Sequence, residues 1–257
     1  MVKRRKVHDL IIQRTIGSSY EQFVIAMKGY KASIKVLEEG IVKAQETFEE
    51  ELFNYITHQQ EMTEEERAKW RANHRIEAVY DHAIPDITWQ AMVMSVFGAF
   101  EYHLAVLCRN IALVLAESVK VILKPEFHFP IQKIFKLKAS YIRHSKKFIQ
   151  DLFPDTREVF KEYKSFLGNL SFFRNCIAHN GGFIPHLEPK YDKKVKKCKA
   201  FCKSNTGIDI SVYGQIQVRP EFLGYSIDTL QGIFHDTHLI VNDQAQFVSE
   251  DVEPEGK

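Results

Sequence analysis

The chain has 257 residues, of which 45% are hydrophobic and 26% charged, and a formal net charge of only +2. That is the composition of a soluble globular protein with ample apolar material for one large domain or two small ones, and it excludes a general polycation. Phe is abundant (19 residues) while Gly (12) and Pro (8) are sparse, which favours a mainly helical chain.

The basic, mixed segment 1–17 reads as a flexible arm. No apolar run long enough for a signal peptide follows Val2-Lys3-Arg4-Arg5-Lys6. Ser18-x-x-Glu21 has the form of a capping box, in which serine and glutamate side chains satisfy orphan backbone donors, so a helix is predicted to begin there. Tyr20, Phe23, Val24, Met27, Tyr30, Ile34, Leu37, Ile41, Phe48, Leu52 and Ile56 recur at helical spacing. The first helix therefore extends to about residue 60, with Gly40 as a candidate break. Thr63-x-x-Glu66 is a second capping box and opens a more polar helix to about Ala83. Ile84-Pro85-Asp86 closes it, because a residue before proline is driven out of helical geometry.

A third helix, about 87–122, is the most apolar, with Val93, Phe97, Phe100, Leu104, Leu107, Ile111 and Val114 as its core stripe. Its apolar region Met92–Leu115 is interrupted by Glu101, His103 and Arg109 and reads as too polar for a membrane span. Residues 124–153 predict an irregular segment and a short helix. There Lys133, Lys136, Lys138, Arg143, Lys146 and Lys147 interleave with Phe135, Tyr141 and Phe148, aromatics that read as core by burial preference. A fourth helix, about 155–179, is capped by Asp155 and carries Phe160, Tyr163, Leu167, Leu170 and Ile177. A lysine-rich loop over 190–203 follows. Set against the acid-rich 46–66, it reads either as a solvated surface loop or as a site for an anionic partner. Ile208–Val218 alternates around Gly214 as a short β-hairpin. Tyr225–Phe247 returns to helical spacing, and 249–257 read as a disordered tail. The expectation is one helical domain over 18–248.

Of the four cysteines, Cys108 and Cys176 lie in apolar helical context and read as small core residues. Cys198-x-x-x-Cys202 lacks a second ligand pair, with His186 alone nearby, so no metal and no other cofactor is expected. A reducing cytosol is the default compartment.

The stretch Ser171-Phe172-Phe173-Arg174-Asn175-Cys176-Ile177-Ala178-His179-Asn180-Gly181-Gly182 stands apart. Projected on a helix, Leu167, Leu170, Arg174 and Ile177 share one face, so Arg174 interrupts an apolar stripe. A guanidinium cannot shed its charge and needs anionic or hydrogen-bonding partners there. Asn175 and His179 are one turn apart, and His179 sits at the helix end, where the dipole favours a cation. A titratable base beside a fixed cation is the set that RNA cleavage by internal transfer requires. Capping of the helix end by both basic residues is the competing explanation. Arg67/His74 and Arg75/His82 repeat the loose spacing on a polar helix without the asparagine, so spacing alone does not single out 174–179.

Arg174-Asn175-x-x-x-His179, on the last core helix of an all-helical domain, resembles the signature of the HEPN superfamily. These are helical-bundle domains common in prokaryotic toxins and antiviral defence proteins, many of them metal-independent endoribonucleases. The resemblance covers the motif and the helix layout of about 87–180, and it does not extend to residues 1–80 or to the hairpin. It implies a mainly α, HEPN-like bundle with its core over about 87–247, a helical extension over 18–83, and the small β-hairpin inserted before the C-terminal helix. It implies a homodimer whose two motifs share a composite cleft, and RNA products with 2′,3′-cyclic phosphate and 5′-hydroxyl ends. Arg174 and His179 are then the catalytic pair, and Asn175 a supporting residue. Family members often add an acidic residue from an earlier core helix, which points to Glu101; a structural ion pair with Arg109 or a surface lysine is its alternative role. Lys190, Lys193, Lys194, Lys196 and Lys197 are the candidates for guiding RNA. The other readings are a non-catalytic HEPN-like module for dimerisation and protein or RNA binding, and a toxin held silent by an antitoxin or another defence-system protein. No membrane partner is expected.

Overall fold

A computed structural model describes residues 2–59, 63–66, 68–69, 83–118, 141–185 and 192–250. Lys190, His186, the Arg75/His82 pair, most of the polar helix expected over 63–83, the segment 124–140 and the tail from 251 lie outside the described residues. The described chain is mainly helical with one small hairpin. In order the elements are α1 (Val2–Gln59), α2 (Ile84–Ser118), α3 (Tyr141–Leu152), α4 (Thr156–Glu162), α5 (Lys164–Asn180), α6 (Asp192–Lys203), β1 (Ile208–Ile210), β2 (Ile216–Val218) and α7 (Pro220–Glu250).

Several boundaries differ from the sequence reading. Ile84 is helical despite preceding Pro85, so α2 opens ahead of the expected residue 87, and α7 opens at Pro220 and not at Tyr225. The first helix does not wait for Ser18; α1 is helical from Val2 and passes Gly40 unbroken to Gln59. Ser18 accepts from the Gln22 side chain and Ser19 donates to the Thr15 carbonyl, so neither serine caps an end. The helix expected over 155–179 is two helices. Tyr163 at φ −88°, ψ 11° breaks it, and Asp155 makes no side-chain cap bond; its carboxylate accepts from Gln244 instead. The lysine run is not a loop but α6. Val195, Cys198, Phe201 and Cys202 are buried along one side at helical spacing, and that apolar stripe fixes a helix that six exposed lysines share.

Other expectations hold. Thr63 and Glu66 form the capping box: the Thr63 amide donates to Glu66 Oε2 at 2.9 Å and the Glu66 amide to Thr63 Oγ1 at 3.4 Å. Val93, Phe97, Phe100, Leu104, Leu107 and Ile111 of α2 are all buried. By length and composition Ile84–Leu113 would pass as a membrane span, contrary to the reading of 92–115 as too polar. Its 18-residue apolar window is 61% buried within the fold, as a core helix would be. Pro85 sits in the first turn of α2, where its missing N–H costs nothing.

The chain divides into two compact units. The first comprises Met1–Lys28, Val96–Leu170 and Ile227–Lys257. Its centre is an aromatic cluster of fully buried rings: Phe23 stacks on Phe234 with centroids 4.3 Å apart, and Phe100 stands edge-on to Phe23 at 6.0 Å. Each such ring contributes about 1.5–3 kcal/mol by leaving water. His103 packs edge-on to Phe23 at 5.6 Å, a packing histidine as expected, and burial pushes its imidazole below its usual pKa. Asn110 ties α2 to α1 through the Thr15 carbonyl (3.2 Å) and the Ser19 hydroxyl (2.6 Å).

The second unit comprises Gly29–Ser95 and Ser171–Ser226. Phe173 meets Phe201 at 6.0 Å, and Phe201 meets Phe222 at 6.1 Å, joining the end of α5, α6 and the start of α7 around one core. β1 and β2 pair antiparallel, with Ile208 opposite Val218 and Ile210 opposite Ile216. Gly214 turns the hairpin at φ 83°, where a side chain would be strained.

Candidate functional site

The second unit carries the Arg-Asn-x-x-x-His stretch on the last two turns of α5. Phe166, Leu170 and Phe173 form the centre of the buried stripe of this helix, flanked by Phe172 and Cys176. Arg174 lies one step off that centre; it is half-buried, with its Nε buried, so it sits at the border of the core. Its Nη1 donates to Asn175 Oδ1 at 3.0 Å. The contact Asn175 makes is therefore to the guanidinium. Asn175, Ala178 and His179 are all exposed, and with Arg174 they form one accessible face at the carboxyl end of the helix, polar except for Ala178.

The helix end is built with care. Gly181 (φ 59°) and Gly182 (φ 84°) both take left-handed geometry, and the Gly182 amide reaches back to the Cys176 carbonyl at 3.1 Å. The Phe183 amide donates to the Asn180 carbonyl at 3.1 Å. The turn is then stitched to the hairpin: the Ile216 amide donates to the Gly182 carbonyl (2.9 Å) and the Ile184 amide to the Gly214 carbonyl (2.8 Å). Gln90 of α2 closes the arrangement. Its buried amide donates to the Ile216 carbonyl at 2.8 Å and lies against the Cα of Gly182, so close that a Cβ there would sit 2.6 Å from Gln90 Oε1. His179 thus stands three residues ahead of a turn held by partners from two other elements.

Charge is supplied by α6. Lys193, Lys194, Lys196, Lys197, Lys199 and Lys203 are exposed, while the opposite side of the helix is core. The Lys194 ammonium sits 4.4 Å from the centre of the Phe172 ring, a cation–π contact. Phe172 and His179 are seven residues apart on α5, so they face nearly the same way and are separated by about 10.5 Å along the axis. Lys194 therefore marks the basic helix as flanking the side of α5 that carries His179.

Glu101 lies on α2 in the first unit and is buried, at 6% exposure. Cys176, Cys198 and Cys202 are buried in the second unit, where desolvation raises their thiols to about 11, 12 and 12; they are core residues in neutral form. Arg143 and Lys147 are exposed and Lys146 half-buried on α3, while Phe148 is core, as the burial preference suggested. A cavity of about 570 Å³ in the second unit is bounded by Asp86, Trp89, Lys203, Asp209 and Arg219 among others, and no residue of the 174–179 stretch lines it.

The sequence reading missed Gln90, Phe183 and Tyr213. Gln90 gave no signal, because its partners lie more than ninety positions away. Phe183 and Tyr213 did carry one: each aromatic sits beside a turn glycine, where a large apolar side chain has little to bury against. Compared with family models, with characterised proteins and with solved structures, the chain matches none of them.

Proposed function

We propose that this chain is a metal-independent endoribonuclease of the HEPN type, acting as a homodimer in which two copies of the 174–179 stretch meet. The observation that carries the reading is the exposed face at the end of α5. There Arg174 is bonded to Asn175 with His179 one turn beyond, beside a lysine-covered helix. In the proposed reaction His179 accepts the proton of a ribose 2′-hydroxyl. The 2′-oxygen then attacks the adjacent phosphorus, the bond to the 5′-oxygen breaks, and that oxygen takes up a proton. The products are a 2′,3′-cyclic phosphate and a 5′-hydroxyl. Arg174 offsets the charge that grows on the non-bridging phosphoryl oxygens, and Asn175 holds the guanidinium in place. The lysines of α6 attract the RNA backbone. A toxin or defence role, with an inhibitory or activating partner protein, belongs to the same reading.

The test is incubation of the purified chain with single-stranded and structured RNAs in EDTA. Cleavage should survive chelation and fall by about 10²–10⁴-fold in His179→Ala, the usual contribution of a positioned acid–base group. Equal cleavage by that variant would sink the proposal. Binding of RNA without any cleavage would identify a non-catalytic RNA-binding module instead.

A further inference from the structure

Beyond the motif, the turn that follows it presents aromatic side chains to solvent. Phe183, four residues after His179, is 45% exposed; Tyr213, at the hairpin tip, is 79% exposed, and Val212 beside it 93%. Exposed aromatics on a floppy loop mean little, but here the backbone is pinned. Phe183 pairs with Gln215 as a β-bridge. Its neighbour Ile184 donates to the Gly214 carbonyl, next to Tyr213. The tip is closed by the Gly214 amide on the Ser211 carbonyl (2.9 Å) and the Gln215 amide on the Ser211 hydroxyl (3.1 Å). A rigid support therefore holds Phe183 and Tyr213 out of the core, at the same end of α5 as His179. The face next to them is polar and the helix flanking it is basic.

We infer that Phe183 and Tyr213 form a stacking subsite for an unpaired nucleobase beside the phosphate that the 174–179 stretch engages. Every base has a π-face, but a duplex hides it within the stack; only an unpaired base can lie against a protein ring. The lysine face of α6 complements the backbone that accompanies such a base. A ring carried on a pinned backbone has less conformational freedom to lose when a base docks than one on a loose loop, so more of the stacking energy is retained as affinity. The inference rests on the ribonuclease reading for its location, and it adds both the residues and the requirement for a single-stranded segment at the cut.

The test uses a fluorescein-labelled single-stranded oligonucleotide with 2′-O-methyl sugars, which has no 2′ proton to lose and cannot be cut. Its anisotropy is followed on titration with the full chain. A duplex of the same sequence serves as the comparison. Phe183→Ala combined with Tyr213→Ala should weaken single-strand binding roughly 5- to 150-fold, the range for losing one base stack, and change duplex binding by less than about twofold. Tyr213→Phe should restore the affinity that Tyr213→Ala removes, because the ring and not the hydroxyl does the stacking. Unchanged single-strand affinity in the double variant overturns the subsite. So does an equal loss on duplex, or a wild-type chain that binds neither probe and instead uses these rings to self-associate. Because the probe is uncleavable, failure of the His179→Ala cleavage test and failure of the subsite are read separately.

Discussion

Gly182→Ala tests the architecture that holds His179. At φ 84° an L-residue costs about 1–2 kcal/mol. The new Cβ would also sit 2.6, 2.7 and 2.9 Å from three atoms of the Gln90 amide, a distance at which something must shift. Gln90 is the flexible partner, so it moves and gives up its 2.8 Å bond to the buried Ile216 carbonyl. Leaving that group unsatisfied costs about 1–3 kcal/mol. The sum, about 2–5 kcal/mol, corresponds to a fall in Tm of roughly 4–20 °C for a chain of this size. The assay is thermal and urea denaturation of four proteins: wild type, Gly182→Ala, Gln90→Ala and the double variant. Once Gln90 is truncated the close contact is gone, so Gly182→Ala should then cost only the backbone strain, about 1–2 kcal/mol. An identical cost in both backgrounds, or no cost in either, would refute the contact between Gln90 and the glycine turn as the reason for glycine at 182.

Two further expectations follow from the same structure. His103 is buried and His238 half-buried, and desolvation pushes both imidazoles below the usual value near 6.5. The unfolded chain therefore binds protons first as pH falls, and folding stability present at neutral pH is lost as pH drops through about 6.5, levelling only below the depressed folded values. Stability measured by urea denaturation should fall between pH 7.5 and 5.5, and His103→Gln with His238→Gln should flatten that dependence; an unchanged slope would assign the effect to other groups. Replacing the exposed Lys193, Lys194, Lys196 and Lys197 by Gln should weaken single-stranded RNA binding. It should also lower the salt slope of log affinity by up to about 0.7 for each phosphate contact removed. A slope that does not change would place the RNA path away from α6.

What the sequence by itself determined was the helical class, the apolar stripe of α2, the Thr63 capping box and the hairpin around Gly214. Each of these is carried by residues within a few positions of one another, where periodicity and turn chemistry act directly. It also determined that the 174–179 stretch closes a helix at a glycine stop. Only the tertiary structure decided that α6 is a helix. Its apolar stripe of Val195, Cys198, Phe201 and Cys202 was visible, but lysines outnumber it, and burial against Phe173 and Phe222 tips the balance. Only the tertiary structure moved Arg174 from the core to its edge, because the helix turns Phe166, Leu170 and Phe173 inward and leaves the arginine one step aside. And only the tertiary structure brought Gln90 to Gly182 and the hairpin tip to Phe183. Those contacts join residues far apart in the chain, and a hydrogen bond across 126 positions leaves no local pattern to read.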